Sequence, residues 1–396
     1  MISEEEALAQ ILAAIQPASA HRVALTKACG RFVREEFTAR IPIPRFDNSA
    51  MDGYAINDAD CGQTVRWLTL DGEQAAGQPS SFQVAPGRAV RVFTGAALPQ
   101  GTAAVVMQED AEVSANGLSM RVNDAAEKGS FIRLGGEDAQ AGAKILDAGE
   151  LLSPQKIALL AAQGFTDLQV GPRPSVGILT TGDELIPAGS ELPHAAAIYD
   201  SNGPMLAALL ERLGIHRLAC NHTADQLDAV TAAIEGGLAD HDVLLIAGGV
   251  SVGARDYVKN ALERLGINPL LWRVAVKPGM PLLFGRSGNK LIFGLPGNPV
   301  SAFVTFSIFV VPALLQWQGA SQKTVNYSWA RLGQPVTNGA KRPHYLRGRV
   351  DPEGILRLAK LQESHALFSL SQSNALLRVS PHASLPAGEV VPVLKI

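Results

Sequence analysis

Apolar and polar positions along this chain follow two rhythms, and the places where the rhythm changes divide it into segments. At the N-terminus Leu8, Ile11, Leu12 and Ile15 recur at helical spacing behind a capping-box pattern of Ser3 and Glu6. This predicts an amphipathic helix that packs on something and is closed by Pro17. From Ile43 to about Gly135 the apolar stretches shorten to pieces such as VRWLTL, RAVRVFTG and AAVVMQE, separated by Gly, Pro, Asp and Asn, and predict a compact, strand-rich segment. In GELLSPQKIALLAAQG the helical rhythm returns. Ser153 suits the cap, Pro154 the first helical position and Gly164 the stop, with Ile157, Leu160 and Ala161 on one side.

After the turn-forming GPRP at 171–174, buried-type strands alternate with helices: SVGILTTG, PMLAALLERLG, DVLLIAGG, DYVKNALERLG, KLIFGLPG and the run from Ala302 to Trp317. Such alternation predicts a three-layer α/β domain with a mostly parallel sheet at about 172–317. The run from Ala302 to Trp317 is shorter than the roughly 20 residues that cross a bilayer, and Thr305, Ser307 and Pro312 interrupt it. It is expected to be a buried helix, with no membrane partner. From Ser321 to Ile396 short strand-like pieces return, which predicts a small C-terminal β domain.

Composition narrows the partners. Asp and Glu number 37 against 34 Lys and Arg, a net charge of -3 over 396 residues, which argues against a duplex nucleic-acid binder. Cys29, Cys61 and Cys220 are too widely spaced for a disulfide framework or a structural zinc site. Together with an N-terminus that is acidic where an export signal is basic, they predict a cytoplasmic protein.

In an open α/β sheet, ligands bind beyond the carboxyl ends of the strands, and four loops there carry polar groups. TTGDEL supplies Thr181, Gly182, Asp183 and Glu184; GGVSVGARD supplies Gly248, Gly249, Ser251, Gly253 and Asp256. KPGMP supplies Lys277, and PGNPVS supplies Pro296, Gly297, Asn298, Pro299 and Ser301. Asn298 at an N-cap and Pro299 in a first turn would leave amides facing an oxyanion, or would simply cap a helix. Asp183 and Glu184 suit Mg²⁺ or a polar ligand, or else cap a turn. Asp225 falls within a Thr223 to Gln226 capping box, where an acid is favourable without a ligand. Earlier, PRFDNSAMDGYA offers Asp47, Asn48, Ser49, Asp52 and Tyr54 without a clean period, and GGED ends at Asp138. GGVSVG is not a dinucleotide fingerprint, and no His joins Cys or acids at metal-site spacing.

These stretches resemble the molybdopterin molybdenumtransferase family of molybdenum cofactor biosynthesis, which also includes the C-terminal domain of gephyrin. The matching segments are FDNSAMDGYA at 46–55, FTGAALPQG at 93–101, GGED at 135–138, TTGDEL at 180–185, YDSN at 199–202, GGVSVG at 248–253 with Asp256, KPG at 277–279 and GLPGNPVS at 294–301. The resemblance implies four parts: a bipartite linker domain (1–43 and 136–171), an inserted β-rich domain (44–135), the α/β molybdopterin-binding domain (172–317) and a C-terminal β-barrel-like domain (318–396).

It further implies an enzyme that inserts molybdate into adenylylated molybdopterin, breaks the pyrophosphate bond and releases AMP, with Mg²⁺ as cofactor. Asp47, Asp138, Glu184, Asp225, Asp256 and Lys277 are then the catalytic positions, and Asp183, Glu184 and Asp256 the metal ligands. Arg347, in the RGR stretch, joins the loop residues in binding. The family's cleft is shared between subunits, so a homodimer is expected, with molybdopterin adenylyltransferase as upstream partner. Met280 stands where the family usually carries Lys, so either molybdate binding is weakened or another base, such as Arg255 or Lys259, compensates. The competing readings are a non-catalytic molybdopterin-binding scaffold and a nucleotide-dependent hydrolase on the related α/β fold.

Overall fold

The computed structural model describes residues 1–63, 66–250, 257–323 and 327–396, and separates into two compact units. The larger comprises Met1–Glu35, Ala148–Ile157 and Asp167–Ile396; the smaller comprises Glu36–Asp147 and Ala158–Thr166.

The centre of the larger unit is a six-stranded sheet in the order Leu218–Thr223, Val176–Thr181, Val243–Ala247, Lys290–Leu295, Leu283–Ser287, Leu271–Trp272. The first four strands are parallel and the last two antiparallel, so the sheet is mostly but not wholly parallel. Val176–Thr181 and Val243–Ala247 are buried at every position, because helices cover both faces of a parallel sheet. One face packs on the long apolar helix, with Phe303, Phe306, Phe309 and Leu314 against Val176, Leu245 and Phe293. The other meets Leu227–Asp240 and Tyr257–Arg264 through Val230, Ile234, Val258 and Leu262.

The apolar helix is longer than its sequence pattern indicates. It runs from Pro299 to Gln318, 20 residues, with a π turn at Phe306–Val310 just ahead of Pro312. By length and composition it reaches the range of a membrane span, yet 83% of its apolar window is buried inside the protein. The π register accommodates a proline whose missing N–H would break a regular ladder.

The N-terminal helix Glu4–Ala13 has the expected capping box, with Ser3 Oγ accepting from Glu6 N and Glu6 Oε2 from Ser3 N. Its acidic first turn has a partner: Arg378 of the C-terminal domain pairs with Glu4 and Glu5. That domain is a closed barrel of Tyr327–Leu332, Ile355–Leu358, His344–Val350, Ala375–Val379 and Val390–Lys395 around Leu346, Leu356, Leu377 and Val393.

In the smaller unit a mixed six-stranded sheet has Gly53–Ile56 between Ala104–Met107 and Arg88–Val92. Alternation along these strands puts Tyr54 and Ile56 in one small core and Ala55, Val90 and Val92 in another, so both faces are covered.

Candidate active site

At the carboxyl edge of the large sheet, the strand-end loops meet. Val176–Thr181 ends in a turn in which Gly182, at φ 150°, lies beneath the exposed Glu184 side chain, whose Oε2 is 2.7 Å from where a methyl group on Gly182 would sit. Asp183 Oδ1 accepts from Asp225 N at 3.0 Å, which joins the turn after the first strand to the one after Leu218–Thr223. Thr181, 5% exposed, keeps its Oγ1 without a hydrogen-bond partner beside Gly248 and Gly249. Gly248 N donates to Leu295 O, and its Cα lies close to Gly297, 3.8 Å from where a methyl group on Gly297 would sit. Of the loop between Gly249 and Tyr257, the expected contributors Ser251, Gly253 and Asp256 lie outside the described residues, as does Arg255.

Asn298 is the N-cap of the long helix and Pro299 its first residue, as the pattern indicated, but the Asn298 side chain makes no capping hydrogen bond. Pro296 is buried at the strand end, Ser301 is buried in the first turn, and Gly297 and Asn298 are exposed. The Thr223 to Gln226 capping box does not form. Helix Leu227–Asp240 has Gln226 as N-cap with no side-chain hydrogen bond, so Asp225 precedes the cap and stands beside Asp183 rather than in the first turn. The tertiary bond to Asp183 outweighs a local cap here.

Lys277 is exposed on a loop stitched to the barrel, its N donating to Pro343 O and its O accepting from Tyr345 N. The same loop packs on the long helix at Gly279, where a methyl group would lie 2.5 Å from the Thr305 Cγ2. Arg347 is fully buried. Its Nη2 donates to the carbonyls of Leu361 and Glu363, while Nε and Nη1 have no partner. Burial lowers its pKa, an effect that Glu363 opposes. Ser364, next in that segment, accepts from Val300 N with its carbonyl, tying the Arg347 bracket to the start of the long helix.

Two residues that sequence reasoning missed complete this basic group. His344 lies on the strand beside Lys277, and its pKa is pushed down to about 4, first by burial and then by Lys277, Arg347 and Arg342. Arg342 Nη1 donates to Val276 O, next to Lys277. Of the two bases considered as replacements for the charge lost at Met280, Lys259 is engaged with Glu263 and the Trp272 ring. Among the described residues Arg342 is a cation beside the KPGMP loop, and only proximity in the fold reveals it.

The state of His344 predicts an acid sensitivity. Its pKa is about 4 when folded and 6.5 ordinarily, so in that window the unfolded chain takes up a proton that the folded chain refuses. This contribution is complete above 6.5 and is lost as pH falls from there towards 4. Denaturation midpoints should show a loss of about 2–3 kcal/mol across this window that His344→Asn removes. An unchanged pH profile in that variant counts against the assignment.

In the smaller unit the other motifs also converge. Asp47 Oδ1 accepts from Gly135 N of GGED at 2.7 Å, and Asp47 O accepts from Leu98 N of FTGAALPQG. Asp138 is exposed, with its N donating to Ile43 O. Asp52 Oδ1 accepts from both N and Oγ1 of Thr94, and its pKa is lowered by the amide first and the hydroxyl second. Thr94 was not singled out from the sequence, although it lies in one of the matching segments. Among the described residues no group of three or more His, Cys, Asp or Glu is placed to hold a metal.

Comparisons with known proteins accord with this arrangement. Residues 2–164 match a model of the MoeA N-terminal region (domain I and II), 177–316 a probable molybdopterin binding domain, and 329–396 the MoeA C-terminal region (domain IV). A molybdopterin molybdenumtransferase of Haemophilus influenzae is 33% identical over 402 residues, covering 99% of this chain and 98% of that one. One from Synechococcus elongatus is 32% identical over 98% of this chain and 96% of its own. Among solved structures, the molybdopterin biosynthesis moeA protein of Pyrococcus horikoshii OT3 superposes with a TM-score of 0.83 at 30% identity, over the full length of both chains.

Proposed function

The chain belongs to the molybdopterin molybdenumtransferase family, and from that premise we propose that it inserts molybdate into adenylylated molybdopterin, with cleavage of the pyrophosphate bond and release of AMP. The observation that carries this reading is the meeting of the 181–184, 248–249 and 296–301 loops at one sheet edge, with the basic group of Lys277, Arg342 and Arg347 on the adjoining loop and barrel. Backbone amides at the glycine turns suit the phosphates, which need close approach to the main chain. Lys277 and Arg347 suit an oxyanion: the buried guanidinium has two nitrogens without partners, and an anion would offset the cost of burying its charge.

Mg²⁺ belongs to this reading as a cofactor. Asp183 and Glu184 are adjacent, exposed carboxylates of the hard-oxygen type that Mg²⁺ prefers, and the ion is commonly held by one or two such groups plus phosphate oxygens. With Asp256 they would hold the ion, which supplies charge neutralisation at the phosphates. Glu184 and Asp225 then orient water and phosphate through their position at the sheet edge. Asp47, Asp138 and the Asp52–Thr94 pair are assigned to the same reaction from a second copy of the chain in a homodimer. The adenylylated substrate is supplied by a molybdopterin adenylyltransferase, in the cytoplasm.

Purified chain given Mg²⁺, molybdate and adenylylated molybdopterin is expected to release one AMP per molybdenum inserted, followed by nucleotide chromatography and metal analysis. Tight pterin binding with no AMP would instead support the scaffold reading.

A further inference from the structure

Asn202, 6% exposed at the start of helix Asn202–Arg212, reaches across to the 296–301 loop, where its Nδ2 donates to the Gly297 carbonyl oxygen at 2.7 Å. The residue is itself held in place by Asp200. Asp200 Oδ1 accepts from the N–H groups of Asn202 and Gly203 at 2.9 and 3.1 Å, and Oδ2 accepts from Thr180 Oγ1 at 3.0 Å. A methyl group on Gly203 would lie 2.8 Å from Oδ2, so the carboxylate has room only against glycine. Thr180 belongs to the interior strand Val176–Thr181, and this anchors the arrangement in the sheet.

The consequence lies in the plane of one peptide. In a trans peptide the C=O and the following N–H point in opposite directions. Among the described residues the cis bonds are Ile43–Pro44 and Lys277–Pro278, so Gly297–Asn298 is trans. With the Gly297 carbonyl drawn to Asn202, the N–H of Asn298 faces the other way, on a turn where Gly297 and Asn298 are both exposed. The flipped peptide would present a carbonyl dipole there, which repels an anion.

We propose that Asn202 is a positioning residue that locks the Gly297–Asn298 peptide with its N–H outward, making that amide a donor to an anionic group of the substrate. The proposal rests on the functional reading above. Asp200 acts one step further back, by holding Asn202.

The test is steady-state AMP release by the full chain at two pH values. At pH 8, Asn202→Asp puts a carboxylate of the same shape against the Gly297 carbonyl, and KM is expected to rise about tenfold or more with kcat changed by less than about threefold. Burial and the neighbouring Asp200 carboxylate push the new carboxyl's pKa upward, so KM relative to the parent should move back towards the parent value as pH is lowered to 6, whereas Asn202→Ala shows the same deficit at both values. A second pair of variants is independent of how Asn202 substitutions fold. Asn298 already has φ -66°, which proline adopts, so Asn298→Pro deletes the N–H without turning the backbone, and Asn298→Ala keeps it. KM for the proline variant should exceed that of the alanine variant by about tenfold. Equal KM values for that pair, or a parent-like KM for Asn202→Asp at pH 8, would overturn the lock. A parent chain that releases no AMP would overturn the functional reading, and the lock with it; an active parent with indifferent variants removes the lock alone.

Discussion

Glu184→Gln lowers the rate of AMP release by about a hundredfold or more, while the unfolding midpoint stays close to that of the parent. The two halves of this expectation have separate grounds. Glu184 is exposed on the turn after Val176–Thr181, and among the described residues no hydrogen bond or ion pair engages its carboxylate. The part of Glu184 that supports the fold is its main chain, whose carbonyl accepts from Ile198 N and is unchanged in glutamine. Glutamine preserves shape and removes charge, so stability should move by no more than about 0.5 kcal/mol. Catalysis depends on the charge, because neither a metal-bridging nor a water-orienting role survives its loss. Rates and thermal midpoints measured on one preparation separate the effects, and turnover near the parent level would remove Glu184 from the mechanism.

The second large effect is on the fold of the site itself. Gly248→Ala should cost about 2–4 kcal/mol and remove most activity from the protein that still folds. Gly248 has φ 100°, a backbone region L side chains rarely adopt. Its methyl group would lie 2.6 Å from the Thr181 carbonyl oxygen and 3.1 Å from Thr181 Oγ1, on a fully buried interior strand, where the main chain cannot yield cheaply. Gly236 is the control. It lies within helix Leu227–Asp240 with nothing inside 4 Å of an added methyl, so Gly236→Ala should stabilise the chain by about 0.5–1 kcal/mol. Urea midpoints for both variants check the contrast, and equal shifts would show that the close approach at Gly248 is not what requires glycine.

Local chemistry explains why so much of the architecture was legible. The Ser3 and Glu6 capping box, Pro154 and Pro299 at helix starts and Gly164 at a helix stop involve groups within one turn of each other, and each functions in the structure as its residue type suggests. The Thr223 to Gln226 box is the exception, lost because the Asp183 carboxylate offers the Asp225 amide a partner 42 residues away in sequence. The apolar run was read from Ala302, three residues inside a helix whose N-cap and first turn the PGNPVS motif placed separately at Asn298 and Pro299, and its π turn leaves no periodic trace among uniformly apolar residues.

The candidate site was legible as residue types on loops, and less so as geometry. Asp183, Glu184, Gly248, Gly297 and Lys277 could be named because strand ends supply ligand groups in open sheets. The roles of Asn202, Arg342 and His344 depend on partners 95, 66 and 67 residues away, and no pattern within a window of one element carries that information.

By itself, then, the sequence determined the elements, their layering and the side of the sheet on which the polar loops emerge, because periodicity and capping act over a few residues. Tertiary structure alone decided which way the Gly297–Asn298 peptide faces, how His344 stays neutral and where a second cation stands beside Lys277. Those depend on burial and on distances of a few ångströms between segments far apart in the chain, and both arise only when the sheet, the long helix and the barrel pack together.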